Sequence, residues 1–141
     1  MVNEHVNALD YQALAEFRYR LRQFMRFSEQ SARAIGLEPQ QHQLLLAVKG
    51  LPSGHKATVG ELAERLQIQH HSTVELIDRL TERGVVERHR DEEDHRRVLV
   101  QLTAQGEDLL RQLSATNLAE LRITGPELVR TLSILLDDAQ A

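Results

Sequence analysis

Four consecutive polar residues in the middle of the chain carry side chains that can bind nucleic acid. They are His70, His71, Ser72 and Thr73. Imidazole and hydroxyl groups donate or accept hydrogen bonds, so they suit both the edges of bases and the oxygens of phosphates. Apolar residues then recur at steps of three as far as Leu80, which predicts a helix with one apolar and one polar face. We therefore predict that this polar run contacts double-stranded DNA.

Arginines and carboxylates cluster a little further along the chain. Arg88, Arg96 and Arg97 flank an acidic run from Asp91 to Asp94. A guanidinium group suits backbone phosphates and the narrow minor groove, where negative potential is concentrated. The alternative is that these arginines pair with the carboxylates across a hairpin. For Arg97 both interpretations stay open.

Histidine and aspartate also bind metal ions, but their arrangement here does not favour it. A zinc site needs three or four converging ligands, whereas neighbours on a helix, such as His70 and His71, diverge by about 100°. A second candidate set consists of His89, His95, Asp91 and Asp94. We predict no metal and no cofactor.

Catalysis is not predicted either. The acidic run offers carboxylates, but we expect a hairpin tip to be solvated, which would prevent the buried pairing that tunes catalytic pKa values. The chain also has neither a glycine-rich phosphate loop nor a nucleophile elbow. These patterns predict that the chain is not an enzyme.

The element that must position the polar run is a helix-turn-helix. Thr58-Val-Gly-Glu61 is a capping-box pattern that opens a short helix through Leu66, and a turn over residues 67–69 leads to a second helix that Gly84 ends. Modules of this kind place the N-terminal half of the second helix in the major groove. The polar run occupies that half.

An alternative for part of the polar run is helix capping. Ser72-Thr-Val-Glu75 is itself a capping-box pattern. In that interpretation Ser72 caps the second helix and Glu75 does not read bases. Both interpretations stay open.

A hairpin is predicted after the second helix. Residues 85–90 and 95–102 have the composition of two strands, and Val98, Val100 and Leu102 alternate with more polar or more exposed positions. A helix-turn-helix followed by a hairpin is a winged helix-turn-helix.

Amphipathic helices are predicted on both sides of this module. One runs from Ala8 to Ile35, and a second from Pro39 to about Lys49. Thr103 can cap a fifth helix, and Gly125-Pro126 restarts the chain as a sixth. One face of the sixth helix carries Leu128, Val129, Leu132, Leu135 and Leu136. A winged module does not need these apolar faces, so we expect a two-fold homodimer.

The amino-acid composition excludes several kinds of site and disfavours one class of function. The chain has 141 residues, no cysteine and a formal net charge of −4. Disulfides and thiolate metal sites are therefore excluded, and a non-specific binder of nucleic acid is disfavoured because such proteins need a broad basic surface. Neither a signal peptide nor a membrane span is predicted, so we expect a cytoplasmic protein.

Three stretches resemble the MarR family of bacterial transcription regulators. They are Gly36–Leu46, the reading head from Thr58 to Gly84, and a wing signature. In this signature Gly84-Val-Val-Glu-Arg88 is followed by Asp91-Glu-Glu-Asp-His-Arg96 and by Leu102-Thr-Ala-Gln-Gly106. The similarity covers about residues 30–115 closely and the rest by layout. It implies a mainly α fold with a small β-hairpin, a winged helix-turn-helix with N- and C-terminal dimerisation helices.

The resemblance also implies residue roles. Recognition helices of a homodimer would enter successive major grooves, while Arg96 reaches a minor groove and Asp94 holds it. His95 departs from the family pattern, because many members have arginine there. Glu75 also departs, so base preference does not carry over.

The resulting prediction is a sequence-specific DNA-binding regulator. Residues 1–37 and 104–141 would form the dimerisation region, and residues 38–103 the winged helix-turn-helix, in one compact unit. Phe17, Phe24 and His42 would line an effector pocket, as in relatives, although core packing is the alternative for both phenylalanines. We expect a homodimeric repressor that a small molecule releases from inverted-repeat DNA. The alternative is a winged-helix module that binds only protein.

Overall fold

The computed structural model describes residues 5–138, which contain five helices and one two-stranded sheet. In chain order the elements are α1 (Ala8–Ala34), α2 (Pro39–Lys49), α3 (Val59–Leu66), α4 (His70–Glu82), β1 (Val86–Arg90), β2 (Val98–Leu102) and α5 (Ala104–Asp138). The predicted fold class, mainly α with a small hairpin, is confirmed. Residues 1–4 and 139–141 of the predicted dimerisation region lie outside the described residues.

Helix α3 begins where the sequence predicts. The Thr58 hydroxyl accepts a hydrogen bond from the Glu61 backbone N–H at 3.1 Å, which satisfies one of the first donors of the helix. The second half of the capping box is missing. The Glu61 carboxylate instead contacts His55 Nδ1 at 2.6 Å and Arg65 Nε at 3.3 Å. Gln67, with φ 56°, ends the helix in the left-handed conformation.

Helix α4 begins earlier than a Ser72 cap would require. Its N-cap is Gln69, which has extended backbone angles and makes no side-chain capping hydrogen bond. Ser72 is the third residue of the helix, so the interpretation of Ser72 as its cap is wrong. Glu75 consequently does not close a capping box.

The wing is an antiparallel hairpin in which Val86 pairs with Leu102 and Arg90 pairs with Val98. Strand β2 starts three residues later than predicted, because residues 94–97 form a turn. In that turn the Arg97 N–H donates to the Asp94 carbonyl at 3.0 Å. Val98 is 39% exposed next to the turn of the hairpin, whereas Val100 is buried. The predicted alternation therefore holds for Val100 but not for Val98.

One core joins the helix-turn-helix to the wing. Its buried residues lie on the inner faces of α2, α3, α4, the sheet and the first turns of α5. They include Leu44, Leu45, Leu62, Leu76, Ile77, Leu80, Val86, Val100, Leu110 and Leu113. Burying an apolar side chain of this size contributes about 1.5–3 kcal/mol. This core fixes where the exposed faces of α4 and the wing point.

Thr103 and Gly106 join the end of the wing to α5. The Thr103 hydroxyl accepts from the Gly106 N–H at 3.2 Å and donates to the Gly84 carbonyl at 2.7 Å, so the predicted cap is confirmed. A Cβ atom on Gly106 would lie 2.0 Å from the carbonyl oxygen of Val85. The first turn of α5 therefore rests directly on the backbone that leads into β1.

The last helical region differs from the prediction. Residues 104–138 form a single helix, and Pro126 lies inside it, so the predicted restart at Gly125-Pro126 is wrong. A proline inside a helix removes one backbone hydrogen bond and costs about 3 kcal/mol. The long runs of helix-forming residues on both sides outweigh that cost.

The chain divides into two units. One contains the residues up to Gln30 and those from Ala115 onward; the other is Ser31–Ser114. The second unit contains the whole helix-turn-helix and the wing. The first contains large apolar side chains that are exposed in this chain, among them Leu9, Leu14, Met25, Leu118, Ile123, Val129, Leu132 and Leu136. The predicted domain bounds remain a prediction.

Between residues 5 and 138, no helix combines the length and the apolar character needed to cross a membrane.

Candidate nucleic-acid interface

The N-terminal turn of α4 presents polar groups to solvent. His70 and His71 are exposed, and Ser72 is half-buried. This turn contains no acidic residue, and Gln69 supplies no side-chain cap. Backbone N–H groups at a helix N-terminus attract anions, and the helix dipole adds to that attraction. The turn therefore suits a phosphate or the edge of a base.

Thr73 does not belong to this surface. It is fully buried, and its hydroxyl donates to the Gln69 carbonyl at 2.9 Å. Positions 73, 76, 77 and 80 follow the spacing of one helix face, which places Thr73 beside Leu76 and Ile77 in the core. That spacing was the available signal in the sequence. It was missed because Thr73 is polar.

Arg88 points back onto helix α4. Its guanidinium group contacts the Asp78 carboxylate and, through Nη1, the Thr81 hydroxyl at 3.4 Å. The sequence predicted either DNA contact or pairing with the acidic run, and the structure shows a partner on α4 instead. The Arg88 contact therefore ties β1 to α4.

The wing turn holds Arg96 away from the body of the protein. The Asp94 Oδ1 atom accepts from the Arg96 backbone N–H and from its Nε, both at 3.1 Å. These bonds, first that from the side chain, lower the pKa of Asp94. The Arg96 side chain remains 91% exposed. The predicted pairing of Asp94 with Arg96 is thus present.

Asp91 contradicts the expectation that the acidic run is solvated. It is only 2% exposed. Its carboxylate accepts from Lys56 Nζ at 3.0 Å, from the Glu93 N–H at 3.0 Å and from Arg97 Nη2 at 2.9 Å. The Lys56 bond is the main cause that lowers the pKa of Asp91 to about 2. Such a carboxylate stays ionised at neutral pH, so its burial does not create a general acid or base.

Arg97 pairs with carboxylates of the acidic run, which was one of the two interpretations left open for this residue. Besides Asp91, its Nε lies 3.8 Å from Asp94 Oδ2. Arg97 therefore bridges the two aspartates, with its side chain 46% exposed. The pairing of Lys56 with Asp91 was not predicted, because the two residues are 35 positions apart in the sequence.

The three residues predicted to line an effector pocket lie in different units. Phe17 and Phe24 are half-buried on the part of α1 that belongs to the first unit. His42 is buried on α2 in the second unit, and burial lowers its pKa. A neutral imidazole in that position can accept or donate a hydrogen bond.

The described residues contain no group of three or more histidine, aspartate or glutamate side chains arranged to hold a metal ion.

Comparison with known proteins connects this geometry to a family. Residues 35–97 match the model of the MarR family. A curated relative, the uncharacterised HTH-type transcriptional regulator YcgE of Bacillus subtilis (strain 168), is 35% identical over 96 residues, which are 65% of this chain. The match spans 60% of that relative's own length.

Solved structures share the fold. AbsC, a MarR family transcriptional regulator from Streptomyces coelicolor, is similar with a TM-score of 0.73 and 18% identity, over 98% of this chain and 96% of that one. A variant of MarR from E. coli complexed with operator DNA is similar with a TM-score of 0.64 and 23% identity, over 88% and 90% of the two chains. At such identities the likeness concerns the fold alone.

The fold is a winged helix-turn-helix, which is also the fold of the MarR family transcriptional regulator AbsC. The chain resembles the MarR family over residues 35–97, and this resemblance agrees with the one predicted from its sequence. Members of that family are transcription regulators and not enzymes, in agreement with the expectation from the sequence.

Proposed function

We propose that this protein is a homodimeric, sequence-specific DNA-binding repressor that a small molecule releases from its operator. The observation that carries the proposal is the pair of Asp94 and Arg96. Asp94 holds the Arg96 side chain, which is 91% exposed, at the wing turn, and the N-terminal turn of α4 exposes His70 and His71. The structure of the MarR variant from E. coli contains operator DNA, which supports the same use of this fold.

In the proposed complex the contacts divide between two elements. His70, His71 and Ser72 at the start of α4 would reach base edges and phosphates in the major groove. Arg96 would enter the minor groove, where negative potential attracts arginine. Asp94, Arg88 and Arg97 would hold these elements in place through their ion pairs.

The homodimer is proposed because each end of the chain exposes apolar side chains. On α5, Leu118, Val129 and Leu136 lie on one side of the helix and are at least half exposed. Covering each of them contributes about 1.5–3 kcal/mol. A two-fold dimer presents its recognition helices to an inverted repeat, with half-sites about one helical turn apart.

The effector site is proposed to involve His42. His42 is buried and its pKa is lowered by burial, so it would meet a ligand as a neutral imidazole. Repression of a gene is proposed to take place in the cytoplasm.

The test is selection from random DNA followed by measurement of affinity across a salt series. We expect the protein to enrich inverted repeats. Arg96→Ala should weaken binding to every sequence, because its contact is made to the groove and backbone. If each of the two wings loses one contact, the slope of log affinity against log salt should fall by roughly 0.9 per contact.

The matched control is Arg111→Ala, which removes the same charge from a side chain that is 70% exposed and paired with Asp108 on α5. It should leave the salt slope unchanged. An equal effect of both substitutions would show that net charge, and not the wing, governs binding. Failure to enrich any DNA would favour the protein-binding alternative.

A further inference from the structure

Asp91 joins two parts of the second unit that are far apart in sequence. Both of its carboxylate oxygens lie 3.0 Å from Lys56 Nζ. Its backbone N–H donates to the Arg97 carbonyl at 3.0 Å and closes the wing turn. Glu93, in the same turn, contacts Lys56 Nζ at 2.8 Å. One lysine therefore holds two carboxylates of the wing.

Lys56 lies at the entrance to the helix-turn-helix. The carbonyl of the next residue, Ala57, accepts from the Val100 N–H of β2 at 3.0 Å. Thr58, which follows, caps α3. The Lys56 side chain is about one-third exposed, and its pKa is raised by hydrogen bonds to Glu93 and Asp91. The lysine thus remains charged where the helix-turn-helix begins.

From Asp91 the ion pairs continue to the exposed arginine. Arg97 connects Asp91, at 2.9 Å, to Asp94, at 3.8 Å. Asp94 in turn holds Arg96. These ion pairs hold the wing turn in place, so the direction of the Arg96 side chain depends on them. Substitutions of groups in one such network are not additive, because the groups share partners.

We infer that Lys56 and Asp91 are positioning residues that set the direction of Arg96 relative to the helix-turn-helix, and that they raise DNA affinity without touching DNA. This inference rests on the proposed function, because Arg96 must contact DNA for its direction to matter. Lys56 itself is committed to two carboxylates of its own chain.

A double-mutant cycle tests the inference. Affinity for the selected DNA is measured for Lys56→Gln in the wild-type background and in the Arg96→Ala background. We expect a loss of roughly tenfold in the first and less than about twofold in the second, because the lysine acts through the arginine. Lys56→Arg should restore most of the affinity. The preferred bases should not change, because α4 is untouched.

Lys49→Gln is the matched control. Lys49 also pairs with a carboxylate, Glu107 at 2.8 Å, in the same unit, and its substitution removes the same charge. It should change affinity less than about twofold in both backgrounds. An equal loss from Lys49→Gln and Lys56→Gln would assign the effect to net charge and overturn the inference.

A structural readout keeps the test independent of DNA. In Lys56→Gln, the amide protons of Glu93 and Arg97 should exchange faster than in the wild type, while those of α4 keep their protection. Asp91→Asn should reproduce this pattern from the other side of the ion pair, and it replaces Lys56→Gln if that variant does not fold. Unchanged exchange in the wing turn would overturn the inference.

The outcomes separate the two proposals. If the wild type binds DNA and Arg96→Ala weakens it, but Lys56→Gln is equally harmful in both backgrounds, only the positioning role fails. If Arg96→Ala binds as tightly as the wild type, the wing assignment fails and the positioning role fails with it.

Discussion

The Thr73 hydroxyl group forms a hydrogen bond within helix α4 and is not presented at the surface. The Gln69 carbonyl accepts both the Thr73 backbone N–H at 3.1 Å and the Thr73 hydroxyl at 2.9 Å. The hydroxyl is therefore satisfied without water, which permits its complete burial. His71, two positions earlier, points to solvent because it is about 200° away around the helix.

Thr73→Val tests this difference. Valine keeps the branched shape, and the Gln69 carbonyl still has its backbone donor, so stability should change by no more than about 1 kcal/mol. The preferred DNA sequence should be the same as for the wild type, whereas His71→Ala should alter it. Selection from random DNA measures both. A changed base preference in Thr73→Val would place that side chain at the DNA surface after all.

Asp91 should contribute to acid sensitivity. Its pKa is lowered from the ordinary value of 3.8 to about 2. Between these values the unfolded chain binds more protons than the folded chain, so stability falls as pH decreases from about 4 to about 2. Above this window the contribution is fully present.

Urea unfolding at a series of pH values measures that contribution. Asp91→Asn should be less stable than the wild type at neutral pH, and the difference should shrink as pH falls through the window. Glu92→Gln removes an exposed carboxylate next in sequence and is the control. A constant difference between Asp91→Asn and the wild type over this range would contradict the assigned pKa.

At the scale of elements, local sequence signals determined most helix boundaries. The bounds of α2 were predicted as Pro39 to about Lys49, and the Thr58 cap placed the start of α3. These signals work because each acts on the backbone within one turn. The start of β2 was missed because it depends on the turn that Asp94 organises. The sequence predicted two helices in place of α5 because proline was taken to end a helix, but the helix continues through Pro126.

The candidate site was predictable to the extent that its contacts are local. Asp94 and Arg96 are two residues apart, and the wing signature contained both. The partners Arg88 with Asp78, and Lys56 with Asp91, are distant in sequence and meet only when the core brings α4, the wing and the segment before α3 together. No periodicity marks such pairs.

Pro126 provides a test of the continuous α5. Pro126→Ala restores a backbone donor inside the helix and should stabilise the protein by up to about 3 kcal/mol. Chemical unfolding at fixed protein concentration measures the effect. Arg122→Ala, at an exposed position one turn earlier, should stay within about 0.5 kcal/mol of the wild type. A less stable Pro126→Ala would mean that the proline ring has a packing role.

For the whole molecule, the distribution of charge matters more than its sum. The chain has a net charge of −4, yet several of its carboxylates neutralise arginines and lysines within the second unit. Arg96 differs from these paired residues, because its side chain is 91% exposed although it pairs with Asp94. An acidic protein can therefore offer a local cation to DNA while avoiding non-specific binding.

Assembly should depend on the exposed apolar side of α5. Val129→Glu and Leu136→Glu place charges where side chains are 64% and 58% exposed in this chain. We expect each to weaken the homodimer and both together to give monomers in sedimentation velocity, because a buried charge without a partner is costly. Ala119→Glu, exposed on another side of the helix, is the control. A stable dimer in the double variant would refute this interface.

The contact beneath Gly106 bears on which sequence changes the protein can accept. A methyl group there would overlap the Val85 carbonyl oxygen, and relief would require separating α5 from the wing's first strand. Gly60 in α3 and Gly125 in α5 have no atom within 4 Å of the corresponding point. In a library of single substitutions, position 106 should therefore tolerate glycine alone, while alanine at position 60 or 125 should be neutral or stabilising, as expected inside a helix. These three glycines in helices therefore differ in the substitutions that they tolerate. At position 106, a single added carbon atom would disturb the packing of α5 against the segment that leads into β1.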